Sequence, residues 1–148
     1  MSTDLELVEG TVAGQDTLVK VLLGCNRRAQ PGWINVDLVP FKGVDVVADL
    51  TTDWPWETGS IDYFKAYDLV EHLPNPIWTM NEAWRCLKVG GVFEILVPST
   101  DGRGAFQDPT HVSFWNPNSF SYYAVARDPE GKLVSHPFRR LYAPHLIK

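Results

Sequence analysis

Apolar residues in this chain fall into short runs separated by turn signals. The first run covers residues 19–23, is β-branched and aliphatic, and stops at Gly24. A run of that kind bounded by glycine predicts a buried strand. Gln30-Pro31-Gly32 marks a turn, and residues 33–38 predict a second strand ending near Asp37. Phe41-Lys42-Gly43 is another turn signal before a third predicted strand over 44–48, which stops at Asp49. Residues 51–60 hold Pro55, Gly59 and several polar positions and predict a loop, with Trp54 and Trp56 pinning it onto the core. Residues 61–67 predict a fourth strand.

The pattern then changes period. Ile77, Met80, Trp84 and Leu87 recur at helical spacing and predict one apolar face. Asn75 suits the N-cap and Pro76 the first helical position, while Gly90-Gly91 is the expected stop. Residues 92–97 predict a fifth strand closed by Pro98. Strands with a helix between the last two predict an α/β sheet with parallel pairs. The first two strands are joined by only about ten residues, near the minimum for a parallel crossover. Either the usual helix shrinks there to a turn, or the early strands pair differently.

Composition narrows the classes. The 148 residues are 45% apolar and 12% aromatic, enough to bury a core in one domain spanning 1–148 and too apolar for a disordered chain. The net charge of −5 argues against a general nucleic-acid binder. Cys25 and Cys86 stand in no metal-like or redox-like spacing. The opening Met1-Ser2-Thr3-Asp4 lacks the cationic start of a secretory leader, and the apolar runs are far shorter than a membrane span, so the expected location is cytoplasmic.

The chemistry gathers at predicted strand ends. Gly24, in Leu22-Leu23-Gly24-Cys25-Asn26, would let a ligand approach the backbone closely. A carboxylate at the second strand tip, Asp37, can accept from both hydroxyls of a ribose. Asp49 at the third tip can accept from an exocyclic adenine amine. A turn glycine and solvated turn aspartates are the plainer alternatives.

Taken in order, Leu23-Gly24-Cys25, Gly32-Trp33-Ile34-Asn35-Val36-Asp37, Asp45-Val46-Val47-Ala48-Asp49-Leu50 and Tyr67-Asp68-Leu69-Val70-Glu71-His72-Leu73 resemble a class I S-adenosylmethionine-dependent methyltransferase of the compact bacterial type-11-like branch. The resemblance continues through Glu82 to Pro98 and through Asp108-Pro109-Thr110-His111-Val112 to Phe114-Trp115 and Ser119-Phe120, so it spans roughly 19–123. It implies a Rossmann-like, mostly parallel sheet in a truncated class I methyltransferase fold, with S-adenosyl-L-methionine as cofactor. By that resemblance Gly24 and Cys25 lie against the amino-acid end of the cofactor and Asp37 holds the ribose. Asp49 and Leu50 flank the adenine, Asp68 sits near the sulfonium end, and Asn26 and Leu38 complete the contacts.

There are departures from the branch. Asn26 stands where a glycine is usual, and asparagine tolerates left-handed dihedrals better than most residues. Leu22 stands where many class I enzymes carry an acid for the methionine amine. Sixth and seventh strands would have to come from residues 133–146. A sheet truncated in this way leaves an edge that a homodimer would cover.

His72 and His111 are candidate general bases, with Asp108 expected to orient the His111 imidazole through one ring nitrogen. The segment 106–114 is expected to fold over the mouth of the site. Glu71, His72, Asp108 and His111 together offer metal-binding side chains, but no spacing such as H-x-x-x-H supports a metal, and none is expected. The aromatic group Phe114, Trp115, Phe120, Tyr122 and Tyr123 is expected to cover the sheet end rather than line an acceptor pocket. The leading expectation is methyl transfer to a small-molecule or glycan-related acceptor. The alternatives are a non-catalytic S-adenosylmethionine-binding domain and a dinucleotide-binding oxidoreductase domain, the latter disfavoured because G-x-G-x-x-G is absent.

Overall fold

The computed structural model describes residues 17–123 and, for the backbone alone, 126–127 and 133–134. Five strands follow the predicted order: β1 (Lys20–Leu23), β2 (Ile34–Asp37), β3 (Val46–Val47), β4 (Ile61–Tyr67) and β5 (Leu87–Leu96). They form one sheet in the order β3-β2-β1-β4-β5, and every pairing is parallel. The short first connection is therefore a run of turns in place of a helix. Its geometry is held by Cys25 N–H donating to Val36 O and Arg28 N–H donating to Cys25 O, both at 2.9 Å.

Strand alternation gives the sheet two unlike faces. Val21, Leu23, Val36, Phe64 and Ala66 turn to one side and are buried there with Trp54 and Met80. Phe64 meets Trp54 edge-on at 5.3 Å and Phe93 at 5.9 Å between ring centroids. The opposite face carries Lys20, Tyr63, Lys65, Tyr67 and Glu94. Both tyrosine hydroxyls donate to the Glu94 carboxylate, and Lys20 and Lys65 lie over the Trp33 ring.

Helix α1 (Pro76–Cys86) begins as the sequence predicts, with Asn75 Oδ1 accepting from Trp78 N–H at 3.0 Å. It ends earlier than Gly90-Gly91. Gly59 N–H and Ser60 N–H donate to the carbonyls of Arg85 and Cys86, satisfying the last turn, and Leu87 passes directly into β5 opposite Ile61. The buried face also differs from the predicted stripe. It is Thr79, Met80, Glu82, Ala83 and Cys86, whereas Ile77 and Trp84 are half-buried.

The reason is polar. Glu82 turns inward, where its carboxylate accepts from Trp54 N–H at 2.8 Å and from Arg85 Nε and Nη2 at 2.8 and 2.7 Å. Arg85 also donates to the carbonyls of Trp56 and Trp54. This clamp holds the 51–60 loop to the helix, and Trp54, only 3% exposed, is pinned to the core as expected.

Beyond β5 come a one-turn helix α2 (Gly104–Gln107) and a 3-10 segment at Pro117–Tyr122. Trp115 is buried and stacks on Phe120 at 5.1 Å, so this part of the aromatic group does cover the sheet end. Phe106 and Phe114 stack on each other at the surface. Strands β6 (Ala126–Arg127) and β7 (Leu133–Val134) pair antiparallel in a sheet of their own, rather than extending the main one from 133–146. The remainder of that predicted stretch lies outside the described residues. Among the described residues no helix is long and apolar enough to cross a membrane.

Candidate active site

The carboxyl ends of β1, β2, β3 and β4 lie side by side, and the residues singled out by the sequence sit just beyond them. Gly24 has φ +62° and Asn26 φ +50°, so both adopt the left-handed conformation, and asparagine serves where the branch has glycine. A Cβ on Gly24 would stand 2.9 Å from Leu69 Cδ1. The glycine is thus required by the packing of β1 against the turn after β4.

Asp37 is committed locally as well as being available to a ligand. Its Oδ2 accepts from Asn26 N–H at 2.7 Å and its Oδ1 from Val39 N–H at 3.0 Å. Each oxygen keeps a second lone pair. This side chain links the Gly24 turn to the β2 tip. Asp49 is exposed, and its Oδ1 accepts from the amide and hydroxyl of Thr51, which hold its carboxyl below the ordinary range. Asp68 is exposed with φ +51°. Leu38 is 64% exposed beside Asp37.

Two of the named side chains turn inward. Leu50 is 6% exposed and belongs to the core, with its carbonyl accepting from Trp54 Nε1, so only its backbone remains for a ligand. Cys25 is buried, and burial together with the nearby Asp37 charge pushes its thiol up. Leu22, Gly24, Cys25, Arg28, Gln30 and Tyr67 line a hollow at this end of the sheet. The sequence reading did not single out Arg28; its signal is its place four residues past the glycine.

The histidine region forms where the loop after β5 folds back on the turn after β4. Val112 N–H and Ser113 N–H both donate to Glu71 O, at 2.8 and 3.1 Å. His72 and His111 meet edge-on, 4.9 Å between ring centroids. The segment 106–114 therefore does reach the end of β4.

Asp108 does not orient His111. Its Oδ1 accepts from the amide and hydroxyl of Thr110 at 2.8 and 2.6 Å, which holds its carboxyl below the ordinary range. Its Oδ2 lies 3.8 Å from His111 Nε2, beyond hydrogen-bond distance. The ring is oriented by Ala105 O, 2.8 Å from Nδ1. A carbonyl only accepts, so Nδ1 carries a proton, and Nε2 holds the lone pair in the neutral ring. The Thr110 hydroxyl gives its single proton to Asp108, so toward His72 Nδ1 both Thr110 oxygens, at 3.1 and 3.2 Å, act as acceptors. His72 is thereby the same tautomer.

Strand order, the turn at Gly24 and the two aspartates at successive tips fit the resemblance drawn from the sequence. A family model described as a methyltransferase domain matches residues 4–95, well over half of the chain. The chain belongs to the class I methyltransferase family. The match takes in Gly24, Asp37, Asp49, Asp68, Glu71 and His72 of this methyltransferase and ends before Asp108 and His111. No curated protein matches the chain. Missed by the sequence reading was the burial of Glu71, whose role here depends on loop docking that no local pattern encodes.

Proposed function

We propose that this methyltransferase takes its methyl group from S-adenosylmethionine and passes it to a small-molecule or glycan-related acceptor. The observation that carries the reading is the pair Asp37 and Asp49 at successive strand tips beside the left-handed Gly24–Asn26 turn. The donor set suits such a group. Asp37 keeps lone pairs for ribose hydroxyls, Asp49 is exposed for the adenine amine, and the Arg28 guanidinium is the natural partner of an amino-acid carboxylate. Leu22, where an acid would meet the amine, is buried, which favours a cofactor held mainly by its adenosine and carboxylate ends.

When bound, the cofactor supplies a sulfonium methyl: the acceptor lone pair forms the new bond to carbon while the carbon–sulfur electrons pass to sulfur. The protein's share is positioning and exclusion of water. Where the acceptor must also lose a proton, His72 and His111 are the candidate bases among the described residues, through Nε2 of the neutral ring. An imidazole acting this way contributes about 10²-fold or more to turnover. In His111→Gln turnover falls by that amount while S-adenosylhomocysteine affinity stays within a few-fold. Equal losses of both would move His111 to the cofactor site, and normal turnover would remove it as a base. A non-catalytic binding domain is distinguished by cofactor binding without turnover across a broad acceptor panel.

A further inference from the structure

The two buried glutamates among the described residues are treated very differently. Glu82 has three donors on its carboxylate. Glu71 is 2% exposed, and neither side-chain oxygen has a hydrogen-bond partner among the described residues. A buried carboxylate without a donor is costly and calls for an explanation. One ligand atom from each of Glu71, His72 and His111 lies within 4.8 Å of the others. Nδ1 of each imidazole is engaged by a backbone carbonyl, Thr110 O and Ala105 O, which leaves Nε2 as the ring nitrogen open to an ion when the ring is neutral. A cation among these three groups would satisfy the Glu71 carboxylate.

We propose that Glu71, His72 and His111 bind a divalent transition-metal ion of the zinc class. Two imidazoles and one carboxylate are a recurrent donor set for Zn²⁺ and Fe²⁺ at sites that keep positions open, while two nitrogen donors disfavour Mg²⁺ and Ca²⁺. Backbone carbonyls on the far ring nitrogens are the usual outer support for metal-binding histidines, fixing tautomer and ring orientation. The backbone ties of Val112 and Ser113 to Glu71 O hold the two contributing segments together. Ligands about 2.0–2.2 Å from a tetrahedral ion stand roughly 3.3–3.6 Å apart, so binding draws the three groups in by about 1 Å. Asp108 Oδ2, 3.8 Å from His111 Nε2, adds a second negative charge beside the ion.

The open positions suit an acceptor that offers oxygen. An ion on these lone pairs and a proton on them exclude one another. With the ion bound, a coordinated acceptor hydroxyl would be acidic enough to give its proton to solvent water, so that no histidine base is needed. Metal binding itself is read on the chain alone and does not rest on the methyl-transfer reading.

The test is a cobalt(II) titration of the full chain after chelator treatment, followed by visible ligand-field absorption and calorimetry, with zinc competition. The wild type is expected to bind one cobalt ion, displaced by zinc, with a rise in melting temperature. Glu71→Gln keeps side-chain shape and the backbone contacts. It and His111→Gln should each weaken binding at least about 100-fold, beyond the loss typical of an outer-shell change. Circular dichroism checks that both variants are folded. Replacing the other two histidines, His136 and His145, by glutamine should leave affinity within a few-fold. Absence of one-to-one binding by the wild type overturns the proposal. So does binding that survives Glu71→Gln and His111→Gln unchanged, or binding lost with His136 and His145.

Discussion

Removing the charge of Glu82 tests how the loop beneath the site is held. In Glu82→Gln the side-chain shape is kept, but the three donors that converge on the carboxylate, Trp54 N–H and two from Arg85, now meet an amide. One oxygen can still accept; the NH₂ group points a donor at another donor. Breaking a buried ion pair by removing one partner costs about 3–5 kcal/mol. Arg85 is nearly a third exposed and keeps its bonds to the Trp54 and Trp56 carbonyls, so water and those carbonyls take up part of the loss. The expected destabilisation is about 2–4 kcal/mol. Urea unfolding followed by tryptophan fluorescence reads it, as a lower midpoint with an unchanged slope. A loss below about 0.5 kcal/mol, the range of ordinary surface changes, would refute the clamp.

Three further outcomes follow from the same contacts. The Arg85 guanidinium holds the Glu82 carboxyl below its ordinary range, so its stabilisation is full above the unfolded value of about 4.3 and fades as pH falls through the folded one; acid unfolding curves of wild type and Glu82→Gln should therefore begin to approach one another below about pH 4.3 and meet only below the folded value. Gly24→Ala should cost about 1–3 kcal/mol from its positive φ and its clash with Leu69, and Leu69→Ala should recover only the clash, measured by the same unfolding curves. Trp54→Ala should lose about 3–5 kcal/mol, whereas the half-buried Trp84→Ala should lose about 1–2 kcal/mol; equal losses would place the helix face wrongly.

The parts of this fold that the sequence revealed are those set by local chemistry. Runs of β-branched residues ending at Gly24, Asp37 and Asp49 placed the strands and the tips that carry the candidate site. Asn75-Pro76 placed the start of α1 to the residue, because capping is a matter of one side chain and one amide. The end of α1 was misplaced because its last carbonyls are satisfied by Gly59 and Ser60, which lie far back in the chain. The helix face was misplaced because the spacing of apolar residues carries no signal that Glu82 turns inward to Trp54 and Arg85. At the site, periodicity could not reveal that Leu50 is core, that Ala105 rather than Asp108 orients His111, or that Glu71 is buried without a donor. The Glu71 burial depends on a loop about forty residues on, and the His111 orientation on a backbone carbonyl that carries no residue-type signal.

The central claim is that the Gly24 turn and the Asp37 and Asp49 tips form an S-adenosylmethionine site. Calorimetric titration of S-adenosylhomocysteine and of NAD into the full chain tests it most directly, repeated with Asp37→Asn. Asparagine keeps one acceptor oxygen but cannot take both ribose hydroxyls and the Asn26 amide. Its cost in affinity should be about 2–3 kcal/mol, roughly 30- to 150-fold. The account predicts one-to-one binding of S-adenosylhomocysteine, no binding of NAD, and that loss in a variant that remains folded. Binding of NAD in preference, or unchanged S-adenosylhomocysteine affinity in folded Asp37→Asn, would contradict it.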